Sequence, residues 1–229
     1  MYSTEAKIEW KRVPSNHMSE HSHHSLREEE KHLLKLLAKT GIVSGGQVQA
    51  HGILGQSERK TRSILNRMFY QKKIIEHKLS TSKKEYKIYT LGPVGAKLMD
   101  LPYTPDYWYF YKESEAIQKI MAFDLYLQLC RFFGTDIEIN PGENPYIYTF
   151  SIGVKTYKIG AIWDNLTAFI ETYRWNPPED RVILICSNLS AINSLIQYFE
   201  EHTPVRAATC QDLRQGLVLY KPGKNGWEK

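Results

Sequence analysis

Between Glu58 and Lys87 the chain carries ten basic residues against three acidic ones, and the apolar residues beneath that charge change period midway. Up to Gln71 they recur at helical spacing; from Ile74 they alternate. Such a segment must bury one face first as a helix and then as a strand pair, leaving its cations in water. A basic excess packed into so short a stretch points to a polyanionic partner. The excess belongs to the first part of the chain: residues 1–100 carry a net +8 and residues 101–229 a net −3.

The sequence on either side supplies the remaining elements. A helix is predicted to start near Ser25, where Ser25-x-x-Glu28 reads as a capping box and Glu28, Glu29 and Glu30 suit the positive end of the helix dipole. Leu33, Leu34, Leu36 and Leu37 give it an apolar stripe, and Gly41 ends it. A short second helix, from about Ser44 to His51, buries Val48. Gly52 to Gly55 is a turn plugged by Ile53 and Leu54. Ser57 caps a third helix to about Gln71. Ile74 and Ile75 open a strand, Ser80 to Lys84 turns, and Tyr86 to Ile88 returns. Pro93 starts a fourth helix, to about Leu101. Helix, helix, helix, hairpin, helix is the order of a winged helix-turn-helix domain, assigned to residues 26–101.

At 100° per residue, Thr61, Ile64, Leu65, Met68 and Phe69 of the third helix fall within a wedge of about 140°, its buried face. Arg59, Ser63, Asn66, Arg67 and Tyr70 face outward, with Lys60 and Arg62 beside them. Arginine suits guanine edges and asparagine adenine edges in a major groove. Lys72 and Lys73 are expected against flanking phosphates, and Lys78, Lys83, Lys84 and Lys87 give the hairpin a basic wing. These residues form the predicted surface for double-stranded DNA.

The stretch from Leu33 to Met99 resembles the N-terminal part of replication-relaxation family proteins of Gram-positive plasmids and mobile elements. Two runs carry the resemblance. Arg59 to Ile75 is a helix ending in a basic turn and an Ile-Ile strand. Tyr86 to Met99, YKIYTLGPVGAKLM, has a tyrosine strand, a Leu-x-Pro-x-Gly step and a closing helix. The likeness covers 67 residues. It implies a transcriptional regulator, or a replication or maintenance factor of a mobile element.

Residues 1–25 are polar, include His17, His21, His23 and His24, and read as a disordered tail. Residues 102–113 open with PYTPDYWYFY, an aromatic linker expected to pack down, since so many rings would otherwise leave a large apolar patch. Residues 114–229 form an α/β domain: a long apolar helix Ser114–Phe133, then strands Asp136–Asn140, Tyr146–Ile152 and Lys155–Ile162. A helix Asn165–Tyr173, a buried strand Val182–Cys186, a helix Ser190–Glu201 and strands Val205–Thr209 and Gly216–Tyr220 follow. The fold class is therefore α+β. The order of the second domain also suits a degenerate restriction-endonuclease-like fold.

Nucleases of that type need an acid on the second strand and Glu/Asp-x-Lys on the third to hold a metal. Here the second strand has no acid and the third reads Thr156-Tyr157-Lys158. Asp136, Glu138, Glu143 and Asp164 lie outside those positions. No other catalytic constellation, cofactor motif or metal pattern is present. Cys130, Cys186 and Cys210 are scattered and read as buried thiols. His32, His51, His77 and His202 stand alone, as structural or surface histidines do. Trp163, Tyr173 and Trp175 suit core packing better than a ligand pocket.

No apolar run approaches the roughly 20 residues of a membrane span, and no apolar N-terminal stretch suggests a signal peptide. The expectation is a cytoplasmic, non-enzymatic DNA-binding protein without cofactor or membrane partner. It is expected to be a homodimer through residues 102–229, where the long helix and the aromatic segment offer apolar surface. The competing readings are a metal-dependent DNA-processing enzyme and a winged helix that binds protein.

Overall fold

The computed structural model describes residues 6–13, 25–55, 57–82, 84–134, 137–199 and 203–229. The chain is an α+β protein with two compact units, Met1–Ala116 and Ile117–Lys229.

The first unit runs β1 (Lys7–Glu9), α1 (Glu28–Thr40), β2 (Val43–Ser44), α2 (Gly45–His51), α3 (Glu58–Tyr70), β3 (Ile74–Ser80), β4 (Glu85–Leu91) and α4 (Pro93–Met99), closed by a 3-10 turn at Tyr107–Phe110. Its antiparallel sheet has the order β1-β3-β4-β2. The leucines of α1 are buried, as are Val48, Leu54, Ile64, Leu65 and Met68. In α2, Ser44 Oγ accepts from the Gln47 N–H at 3.2 Å while Gln47 Oε1 accepts from the Ser44 N–H at 3.0 Å. This reciprocal cap closes the orphan donors of a helix too short to persist alone. The step from β4 into α4 crosses the end of α3. The Gly92 N–H donates to Lys73 O at 2.9 Å and the Val94 N–H to Lys72 O at 3.2 Å. A Cβ on Gly92 would come within 2.3 Å of Lys72 O, so only glycine fits the crossing.

Three expectations for this unit are corrected. First, α1 starts at Glu28, and the acid that caps it is Glu30, whose Oε2 accepts from the Arg27 N–H at 3.3 Å; Ser25 and Glu28 do not form the box. Second, the predicted tail is not structureless throughout. Residues 6–13 are ordered, with Lys7, Ile8 and Glu9 paired to Ser80, Leu79 and Lys78. The alternation Ala6, Ile8, Trp10 was the signal for this strand. The four tail histidines, His17, His21, His23 and His24, lie outside the described residues. Third, the aromatic segment is part of this unit. Trp108 is fully buried, and its Nε1–H donates to Lys11 O at 3.0 Å. Tyr107 OH donates to Gly41 O at 2.7 Å, and Asp106 Oδ1 accepts from the Val13 N–H at 3.0 Å.

In the second unit, α5 (Glu113–Phe133, its first turn in the first unit) precedes β5 (Ile137–Pro141), β6 (Tyr148–Ile152) and β7 (Lys155–Ile162). Then come α6 (Leu166–Trp175), β8 (Arg181–Cys186), a 3-10 segment Leu189–Tyr198, β9 (Val205–Thr209), α7 (Cys210–Gln215), β10 (Lys221–Gly223) and β11 (Gly226–Glu228). The sheet order is β5-β6-β7-β8-β9, antiparallel up to β7 and parallel beyond it. The helix α5 covers one face, where Tyr126 meets Phe150 at 5.7 Å. Phe169, Tyr173, Ile192 and Leu195 join Val182, Leu184 and Val205 in the core on the other face. Two expected elements are replaced, and α7, β10 and β11 are additional to those expected. The helix predicted at Ser190–Glu201 is a 3-10 segment. The strand predicted at Gly216–Tyr220 is a single bridge, Ala207 to Tyr220, between α7 and the β10–β11 hairpin.

Candidate nucleic-acid interface

The apolar wedge fixes the rotation of α3. Thr61, Ile64, Leu65 and Met68 point inward and Phe69 is half-buried, so Arg59, Lys60, Arg62, Ser63, Asn66 and Tyr70 are all exposed. Ser57 Oγ accepts from the Lys60 N–H at 3.5 Å and holds the start of the helix.

Two of the predicted contacts are instead framework. Lys73 is 1% exposed; its Nζ donates to Glu30 Oε2 at 3.0 Å and to Ser25 O at 3.3 Å. The same carboxylate takes Arg67 on its other oxygen, at 2.6 Å. Burial pushes the Glu30 carboxyl up, but the hydrogen bonds from Arg67, Lys73 and the Arg27 backbone outweigh it, and the pKa ends below the ordinary value. A desolvated carboxylate between two cations ties α1 to the end of α3. Lys73 therefore cannot reach a phosphate, and Arg67, only 35% exposed at its side chain, is held at the edge of the surface. Lys72 is half-buried in the left-handed region, φ 55°, where it reverses the chain into β3.

The hairpin is not a simple basic wing. Its register sets Glu76 opposite Tyr89, Lys78 opposite Lys87 and Ser80 opposite Glu85, all on one face. Lys78 Nζ reaches Glu85 Oε1 at 2.6 Å and Lys87 Nζ reaches Glu76 Oε2 at 2.9 Å. The facing lysines would repel; the diagonal glutamates offset them. Tyr89 OH also donates to Glu76 Oε2 at 3.3 Å, and burial with that neighbouring carboxylate pushes the phenol up. Lys84 is exposed at the turn, and Lys83 lies outside the described residues. On α3, Arg62 Nη2 meets Glu58 Oε1 at 2.7 Å. Between α2, α3 and β4 runs a groove of about 430 Å³, lined by Gln49, Glu58, Arg62, Asn66, Tyr86 and Lys87 among others.

Beside β3 lies a feature that charge reading missed. His77 is 1% exposed between the rings of Trp10 and Trp108, with centroids at 5.0 and 4.9 Å. Its Nδ1 accepts from the Lys11 N–H at 3.0 Å, so Nε2 carries the proton and donates to Thr90 Oγ1 at 2.8 Å. Burial, and then the Lys11 charge, push its pKa down to about 3. The ring is a structural histidine that fastens β1 and the residues after it. His202 is outside the described residues.

In the second unit, β6 carries no acid and β7 places Thr149 opposite Lys158 and Ser151 opposite Thr156. Lys158 Nζ pairs with Asp180 Oδ2 at 2.6 Å, and that bond holds its ammonium above the ordinary pKa. The pair lies in a cleft of about 730 Å³ with Glu143, Tyr146, Thr149 and Trp175. Asp164 accepts from Gln118 Nε2 at 3.3 Å, Glu138 lies opposite Ser151, and Asp136 is outside the described residues. Among the described residues no three of His, Cys, Asp and Glu gather as metal ligands. Tyr173 is buried and Trp175 is 77% exposed, so the aromatic trio is not one core. All three cysteines are buried free thiols, and burial pushes Cys186 and Cys210 up to about 12. No helix among the described residues is long and apolar enough to cross a membrane.

No protein-family model, no curated protein and no solved structure matches the chain.

Proposed function

We propose that the first unit is a winged helix-turn-helix domain that binds double-stranded DNA through α3, without catalysing a reaction. The observation that carries this reading is the outer face of α3. Six polar or aromatic side chains, Arg59, Lys60, Arg62, Ser63, Asn66 and Tyr70, stand exposed on a helix whose inner face is buried and whose far end is locked by Glu30. A rigid helix presenting Arg and Asn is suited to base edges in a major groove. The topology supports the same reading: β2 between α1 and α2 joins the hairpin that follows α3.

The likeness to replication-relaxation proteins favours a regulator, or a replication or maintenance factor of a mobile element. The element order and strand directions of the second unit agree with a degenerate nuclease-like core. Threonine at position 156, in the place of the carboxylate, argues against cleavage. A homodimer through residues 102–229 remains part of the proposal. It would use Phe132, Phe133, Val154 and Trp175, the exposed large apolar side chains among the described residues of the second unit, because Trp108 and most of α5 are buried within the chain.

Fluorescence anisotropy on random and genomic duplexes across a salt series tests the reading. Log affinity should fall linearly with log salt, by about 0.9 per phosphate neutralised. Arg59→Ala or Asn66→Ala should weaken a preferred site by about 1–3 kcal/mol and relax base preference, whereas Lys84→Ala should weaken all duplexes alike. Binding indifferent to salt, or unaffected by both α3 variants, would refute it.

A further inference from the structure

Four glutamates of α1, α3 and the hairpin lie on or under the face formed by α3 and the hairpin, with Glu9 of β1 at its edge opposite Lys78, and the four divide into two kinds. Glu30 and Glu76 are enclosed, with side chains 1% and 15% exposed, and each takes more than one donor: Arg67, Lys73 and the Arg27 N–H on Glu30, Lys87 and Tyr89 on Glu76. They fix the framework. Glu58 and Glu85 are open, 75% and 61% exposed, and each is hydrogen-bonded to one cation that is itself well exposed: Arg62 at 72% and Lys78 at 44%, the latter also facing Glu9 across the strand pair without an ion-pair contact. Both open glutamates line the groove between α3 and β4, from opposite walls.

We propose that Glu58 and Glu85 are specificity-determining residues of this interface, carboxylates that occupy Arg62 and Lys78 until a well-seated duplex phosphate displaces them. The inference rests on the DNA reading above. An ion pair this exposed is weak in water, so exchanging a carboxylate for a phosphate meets little resistance once a phosphate is held nearby by other contacts. A duplex that docks loosely has no such contacts. Its backbone meets two negative charges in the groove and two cations already engaged, and built-in repulsion of this kind discriminates against a wrong partner without new contacts to the right one. The groove is therefore charge-balanced at rest, Glu58 and Glu85 against Arg62 and Lys87, although the segment as a whole is strongly basic. Affinity for duplexes of arbitrary sequence falls, while a site that Arg59 and Asn66 can read still seats fully.

The test uses the full chain. Glu58→Gln, Glu85→Gln and the double variant are compared with wild type on a random-sequence duplex across a salt series, by anisotropy. Glu171→Gln, an exposed position on α6, controls for the unit change in net charge. Freeing one cation should raise affinity for the random duplex about fivefold near physiological salt and steepen log affinity against log salt by about 0.9. The double variant should gain the product of the two. Glu171→Gln should stay near wild type. Glutamine variants that bind no tighter than Glu171→Gln, while wild type binds duplex, overturn the inference and leave the DNA reading standing. If neither wild type nor any variant binds duplex at any salt, both fall together. Variants that bind where wild type does not would support both.

Discussion

Lowering the pH from 7.5 to 5.0 should cost the first unit about 2 kcal/mol through His77 alone. The ring is neutral in the fold, with a pKa near 3 against 6.5 for the free side chain. The unfolded chain therefore binds the extra proton first. The stability this histidine contributes is fully present above pH 6.5 and is lost as pH falls from there toward 3. At pH 5.0 the unfolded imidazole is about 97% protonated and the folded one about 1%, which sets the figure at about 2 kcal/mol. Protonation also removes an acceptor, because Nδ1 would then point a proton at the Lys11 N–H. His32, whose pKa is lowered by burial and then by Lys35, tilts the curve the same way, so a variant is needed to isolate His77. Urea unfolding of wild type and His77→Gln at both pH values should show the wild type losing more, by about 2 kcal/mol. Direct NMR titration should leave the His77 ring neutral down to about pH 4 in the folded protein. A His77 midpoint near 6.5, or identical losses in both proteins, would refute the reasoning.

Glu30→Ala should destabilise the first unit by about 3–5 kcal/mol in urea unfolding, because it strands the buried Lys73 ammonium; a loss below about 1 kcal/mol would mean that water reaches Lys73. In contrast to Lys84→Ala, replacing Lys73 with Met should leave the salt slope of DNA binding unchanged in whatever fraction remains folded. With Thr156 in the carboxylate place, duplex DNA should stay intact in magnesium or manganese; cleavage abolished by Glu138→Gln would show that the second unit is catalytic. Light scattering at micromolar concentration should give a dimer for the full chain, and Phe132→Ser with Phe133→Ser should convert it to monomer; a monomeric wild type would end the dimer proposal.

The elements of the first unit were legible because their signals are local. The spacing of Thr61, Ile64, Leu65 and Met68 fixes which side of α3 is buried, and Ser44 and Ser57 mark helix starts within a few residues. In the second unit β7 and β9 fall on their predicted limits and β8 begins one residue earlier, since short apolar stretches between polar turns have few other uses. The surface was legible only in part. Counting charges treats every lysine as solvated and available. Whether it is so depends on partners far along the chain: Lys73 is set by Glu30, forty-three residues away, and the hairpin lysines by a cross-strand register. The short strand at Lys7–Glu9 is faint in the sequence, because the alternation of Ala6, Ile8 and Trp10 is too brief to stand out from a polar tail; the edge of β3 and the pocket between Trp10, His77 and Trp108 decide it. The sequence by itself determined which residues face inward on each element, because that follows from i, i+3, i+4 and i, i+2 geometry. Only the tertiary structure decided which cations face a partner, because an ion pair is chosen by distance in space and by the water it excludes.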